Sequence, residues 1–190
     1  MTNSIVDTLY RDFDSLVTYL ESVGEISFKS IADENFKKNL VLSSASYFET
    51  ELLDELTAYF ELKAPKSPEI KEFLVNKGLS RQYHTLFDWN SNNANTFFSL
   101  FGNEFKKFMN DKINSDNVLK QSINDFIELG RERNRLVHQN FGNYSVEKTA
   151  KEIFKLYDSA KYFILNLTGW LNEYNACQQR LIPNAGFSGL

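Results

Sequence analysis

Arg133, Asn134 and His138 stand within one short run, Arg133-Asn134-Arg135-Leu136-Val137-His138. A guanidinium is a permanently charged, rigid fork of donors that matches a phosphate. An imidazole titrates near neutral pH and can take or give a proton. A carboxamide about one helical turn before it can hydrogen-bond the ring or a ribose hydroxyl. These types together suit metal-free cleavage of a phosphodiester. Histidine activates an RNA 2′-hydroxyl or protonates the leaving oxygen, and arginine stabilises the charge building on phosphorus. Other chemistries lack their residues: the chain has no G-x-S-x-G, no H-E-x-x-H and no G-K-[ST]. The single cysteine, Cys177, excludes a disulfide framework and a Cys-based zinc site.

The position of these residues is anomalous. Ser115 or Asp116 caps a helix from about Val118 to His138, and Asn140-Phe141-Gly142-Asn143 supplies the turn that stops it. At about 100° per residue, Leu119, Ile123, Phe126, Gly130 and Val137 make one narrow stripe that should meet the core. Arg133 and Asn134 fall on that stripe, where an unpaired charge is costly. Arg131 and Arg135 point away from it, toward solvent. An arginine, an amide and an imidazole therefore sit at the mouth of an otherwise apolar face. Residue types alone leave two readings open. Either this is a site, or the arginine pairs with a buried carboxylate and the histidine serves the helix dipole.

The elements that position the segment read as helices throughout. Only 3 Pro and 8 Gly occur in 190 residues, too few for a sandwich that turns every ten residues or so. Ile5, Leu9, Phe13, Leu16, Leu20 and Val23 predict a first helix ending near Gly24. Asp33 or Asn35 is expected to cap a second, carrying Phe36 to Tyr59 and stopped by Pro65. Ser67-Pro68-Glu69 opens a short helix closing at Gly78. Asp88 to Asn95 reads as a loop, and Thr96 to Ile113 as one aromatic-rich helix despite Gly102. Ser145 is expected to cap the last helix, with Glu147 in its first turn. There Val146, Ala150, Ile153, Tyr157, Ala160, Ile164, Leu167, Leu171 and Tyr174 form a heptad seam. The fold class is all-α: a bundle of long antiparallel helices forming one domain over residues 1–182, with 183–190 a flexible tail.

Other residues carry weaker signals. Glu49 shares a helix face with Ala45, Leu52, Leu56 and Tyr59, from which it can reach Arg133 or His138 and orient it. The competing reading is a partly exposed Glu at the stripe's edge. His84 has no partner at ligand spacing and reads as an ordinary surface or packing histidine. The Phe-rich run from Phe97 to Phe108 reads as core in preference to a base-stacking platform. Arg131, Arg135 and Lys120 form the local basic cluster that can meet RNA backbone phosphates.

The run Arg133 to His138 resembles the R-x4-6-H signature of HEPN domains, in which a polar residue such as Asn typically follows the arginine. The setting is similar too, at the end of the penultimate long helix of an all-α bundle. The segment Asn95 to Phe105, with Leu100-Phe101-Gly102 at its centre, resembles in particular the RiboL-PSP-type HEPN proteins of bacterial defence and stress systems. The resemblance implies a dimeric, metal-independent endoribonuclease whose two facing motifs form one composite site, leaving a 2′,3′-cyclic phosphate and a 5′-hydroxyl. It assigns Arg133, Asn134 and His138 to that site. Its alternative is a catalytically silent dimerisation or RNA-binding module. HEPN toxins paired with nucleotidyltransferase antitoxins carry tyrosine two residues after the histidine; Asn140 stands there instead, with Phe141 and Tyr144 nearby. The resemblance to that toxin class, and to regulation through such a tyrosine, is correspondingly weaker.

The expected partners are RNA, a second copy of the chain, and an antitoxin or other defence-system protein. No cofactor or metal is expected. A net charge of −4 argues against a surface that coats nucleic acid non-specifically and leaves room for a local basic site. No secretory signal and no apolar run long enough for a bilayer stand in the sequence, so the expected setting is the cytoplasm, with no membrane contact.

Overall fold

Ser4 opens the first helix with a capping box: its hydroxyl accepts from the Asp7 N–H, and the Asp7 carboxylate accepts from the Ser4 N–H. The computed structural model describes residues 4–181, and no strand occurs among them. The expected tail 183–190 lies outside the described residues. Helix α1 (Ile5–Ser22) ends where Gly24 takes a left-handed φ of 76°, and α2 (Ile26–Lys63) returns along it. Asp33 and Asn35 do not cap α2 but lie inside it. Nothing between Ile26 and Asp33 interrupts helical bonding, so the chain continues its ladder, and the Asn35 amide donates back to the Ile31 carbonyl at 2.9 Å.

After Pro65 come α3 (Pro68–Leu74), which has Pro68 in its first turn, and a π-helical turn at Val75–Leu79. Arg81 then takes a left-handed φ of 60° and turns the chain into the single-turn α4 (Tyr83–Leu86). Helices α5 (Asn95–Ser99) and α6 (Asn103–Ser115) replace the one helix expected from Thr96 to Ile113. Gly102 breaks it with φ 100°, a conformation costly for any residue with a Cβ. Helix α7 (Asn117–His138) has Asp116 as its cap, accepting from the Val118 and Leu119 N–H groups.

The last helix, α8 (Ala150–Leu181), begins later than Ser145 predicts. Thr149 and Glu152 form the capping box there, while the Ser145 hydroxyl donates to Glu34 on α2 at 2.8 Å. Glu147 and Val146 therefore precede the helix, although Val146 is buried. From Ala150 to Leu171 the expected seam holds: every one of its positions is buried, packed on α2 and α7. Phe97, Phe98 and Phe105 are fully buried and meet edge-to-face, so this part of the aromatic run is core. No described helix is long and apolar enough to cross a membrane.

Candidate functional site

Along α7 the apolar stripe is buried through Leu119, Ile123, Phe126 and Gly130, while Leu136, also buried, lies about 100° round the helix from it, on the flank of Leu129 and Glu132. Val137, read as the stripe's last member, is instead 51% exposed. It follows Arg133 by one turn. Arg133 is half-buried on the same stripe, so its guanidinium emerges where the core ends.

Gly130 explains what packs beside it. A Cβ at this position would lie 2.0 Å from the Trp89 ring, so the indole rests directly on the α7 backbone. The Trp89 Nε1–H donates to the His84 carbonyl at 2.9 Å. Arg131 fastens the same loop: its Nε donates to the Trp89 carbonyl at 3.0 Å, and Nη2 to the Ser91 carbonyl at 2.8 Å and Asn92 Oδ1 at 2.9 Å. The short α4 is thereby held against α7 with His84 facing the motif. His84 Nε2 lies 3.0 Å from Arg133 Nη2.

His84 is the member of this cluster that sequence reasoning missed. The interior glycine in α7 signals a close approach by a large group, but it does not say which loop supplies it. His84 is exposed at the surface; the desolvation its packed neighbours impose, first, and then the Arg133 charge lower its pKa, with His138 acting in the same direction and Glu49 opposing them. Beside it, burial and then the Glu49 charge hold the Tyr83 phenol neutral, far above its ordinary value.

Asn134 Oδ1 accepts from Arg133 Nη1 at 3.3 Å, so its carbonyl faces the guanidinium and not the His138 ring. Its other side lines a cleft of about 290 Å³ with His138, Gln139, Trp89, Asn90, Arg131 and Arg135. Within one chain, then, Arg133 stands on the shoulder with His84, His138 stands in the cleft, and Asn134 belongs to both. Glu49 is half-buried and near enough for its charge to act on His84 and Tyr83. It forms no ion pair with Arg133, and neither does any other carboxylate among the described residues.

The neighbouring arginines differ. Arg131 pairs with Glu128 at 2.7 Å, and Arg135 with the buried Glu132 at 2.7 Å. Arg131 does not face solvent as its helical angle suggests, because the 88–92 loop folds over it and takes its donors. Arg135 keeps a half-exposed side chain. Lys120 is exposed, but it precedes Arg133 by thirteen residues, about 20 Å along the helix.

The segment after the motif is pinned from α7 and from α2. The Tyr144 hydroxyl donates to Glu132 at 3.1 Å, and Lys148 donates to Glu128 at 2.8 Å. From α2, Lys38 donates to the Phe141 carbonyl at 2.8 Å and Lys37 to the Val146 carbonyl at 3.1 Å. Among the described residues no three His, Cys, Asp or Glu side chains are placed to hold a metal ion.

A family model described as RiboL-PSP-HEPN matches residues 7–173. No curated protein and no solved structure matches the chain.

Proposed function

The chain belongs to the RiboL-PSP-HEPN family, whose function is in general nuclease- and RNA-related, and on that premise we propose that it is a metal-independent endoribonuclease. The observation that carries this reading is the state of Arg133. It sits on the core stripe, half-buried, with no carboxylate partner among the described residues, while Arg131 and Arg135 on the same helix each have one. A structural arginine at such a place would be paired. An arginine kept for an incoming phosphate would not be.

In the proposed reaction the RNA 2′-oxygen forms a bond to phosphorus as the bond from phosphorus to the 5′-oxygen breaks. The products are a 2′,3′-cyclic phosphate and a 5′-hydroxyl. His138, exposed at the end of α7, takes the proton from the 2′-hydroxyl or returns one to the 5′-oxygen. Arg133 neutralises the charge growing on the phosphoryl oxygens. The Asn134 amide N–H groups, left free by the contact through Oδ1, are directed to a ribose or phosphate oxygen. Arg135 and the more distant Lys120 meet the RNA backbone. Arg131 acts through the 88–92 loop it holds, and Glu49 tunes the charge around His84.

The working form is a homodimer of one all-α domain over residues 1–182, and the two motifs complete one composite site. Exposed Val137 near the end of α7 and exposed Phe141 in the turn after it support this arrangement. A second copy would bury the apolar end and bring one chain's His138 toward the other's Arg133. The resemblance of the Asn95–Phe105 segment supports a role as a toxin-like effector in cytoplasmic bacterial defence or stress response, held in check by an antitoxin or another defence-system protein. Light scattering tests the composite site. A dimer that Val137→Asp splits into folded, inactive monomers is expected. A monomeric wild-type chain that cleaves RNA would contradict it.

A further inference from the structure

The contact between Arg133 and His84 fixes more than a distance. A guanidinium has donors only, so the atom it meets must be an acceptor. His84 Nε2 is therefore bare, and the proton of the neutral ring is on Nδ1. Protonation of His84 would put a hydrogen on Nε2, setting two donors and two positive charges against each other at 3.0 Å.

The surroundings of the ring belong to several elements. Arg133 and His138 face it from α7, Glu49 from α2, and Tyr83 lies beside it with ring centroids 5.6 Å apart. Its backbone is fixed by the Trp89 indole, which is itself keyed onto Gly130. The ring itself is exposed, and its one hydrogen-bond contact is Arg133. It is oriented toward the one α7 arginine that lacks a carboxylate among the described residues.

We propose that His84 is a positioning residue of the Arg133–His138 site: its neutral ring holds the Arg133 guanidinium at the mouth of the site, and its charged ring releases it. Arg133 is then pre-oriented for phosphate above the His84 pKa and loose below it. The arrangement makes the site sensitive to acid through a group that does not itself touch the reacting atoms. This rests on the ribonuclease reading for its consequence in catalysis, though the Arg133–His84 coupling stands independently of it.

The chain has only two histidines, so in His138→Ala the imidazole NMR signals report His84 alone. The expected result is a neutral Nδ1–H tautomer, titrating below the ordinary histidine value of about 6.5. Replacing Arg133 by Met in the same background moves the midpoint upward. A midpoint that ignores Arg133, in a chain shown folded by circular dichroism, overturns the proposal whether or not the protein cleaves RNA.

The second arm reads cleavage. His84→Ala is expected to lower kcat by about 10–100-fold with KM changed far less, since a misplaced catalytic group costs that much. His84→Gln offers a carboxamide oxygen to Arg133, so it keeps most of kcat and loses the acidic limb that His84 imposes. Wild-type kcat and an unaltered acidic limb in both variants overturn the proposal and leave the ribonuclease reading intact. If the wild-type chain cleaves nothing, that reading fails, and the titration alone decides the coupling.

Discussion

Arg133 Nη2 lies 3.0 Å from Nε2 of His84, 49 positions earlier in the chain. The contact joins the end of α7 to the single turn of α4, and it has a thermodynamic signature apart from catalysis. Because the folded-state pKa of His84 is lowered, the unfolded chain binds more protons between that pKa and about 6.5. The His84 contribution is fully present above 6.5 and is lost as pH falls through the folded value. Urea midpoints for the wild type should therefore drop more between pH 7.5 and pH 5 than those of His84→Gln. Equal drops would remove His84 from the account.

Glu49 enters the same balance with the opposite sign. Its charge raises the His84 pKa against the other groups, so Glu49→Gln should shift the His84 titration downward. NMR titration of the two chains decides it. An upward shift would mean that Glu49 acts by another route.

Gly130 should tolerate no side chain. A Cβ there meets the Trp89 ring at 2.0 Å, so the indole that donates to the His84 carbonyl, or the helix beneath it, must shift. Although alanine is the better helix former, Gly130→Ala should cost about 1–3 kcal/mol through overpacking and should disturb the His84 resonances. A stabilised Gly130→Ala variant with unchanged spectra would contradict the packing described.

The α7 arginines should separate by their partners. Arg131→Ala strips the anchor from the 88–92 loop and should destabilise the fold by about 1–3 kcal/mol through unsatisfied polar groups. Arg135→Ala leaves the buried Glu132 carboxylate with only the Tyr144 hydroxyl, so it too should cost about 1–3 kcal/mol, but it should also reduce the salt dependence of RNA binding by about one ion. Binding at several salt concentrations distinguishes them. Salt dependence lost in Arg131→Ala and kept in Arg135→Ala would assign the phosphate contact to Arg131.

The sequence carried most of the framework because helices and their ends are encoded locally. Gly24, Pro68, Asp116 and the α8 seam each do what their chemistry predicts. The departures arise where a local preference competes with something else. Asp33 and Asn35 are good caps overridden by continuous helical bonding, and Ser145 turns to Glu34 while Thr149 caps α8. At the candidate site, Arg133 and Asn134 were legible because they fall on an apolar stripe, and His138 because it follows Asn134 by one turn at the helix end, in a run that resembles the HEPN signature. His84 was not. It reaches Arg133 through a π-helical turn, a left-handed Arg81 and a tryptophan seated on a glycine, none of which leaves a periodic trace.

If Arg133 and His138 cleave RNA without a metal, the purified chain incubated with tRNA and with an unstructured RNA in EDTA, beside Arg133→Ala and His138→Ala, should show it in the product ends. The expected result is cleavage by the wild type, 2′,3′-cyclic phosphate and 5′-hydroxyl ends, and loss of activity in both variants. A folded dimer that cleaves neither RNA, or cleavage that survives either substitution, would contradict it.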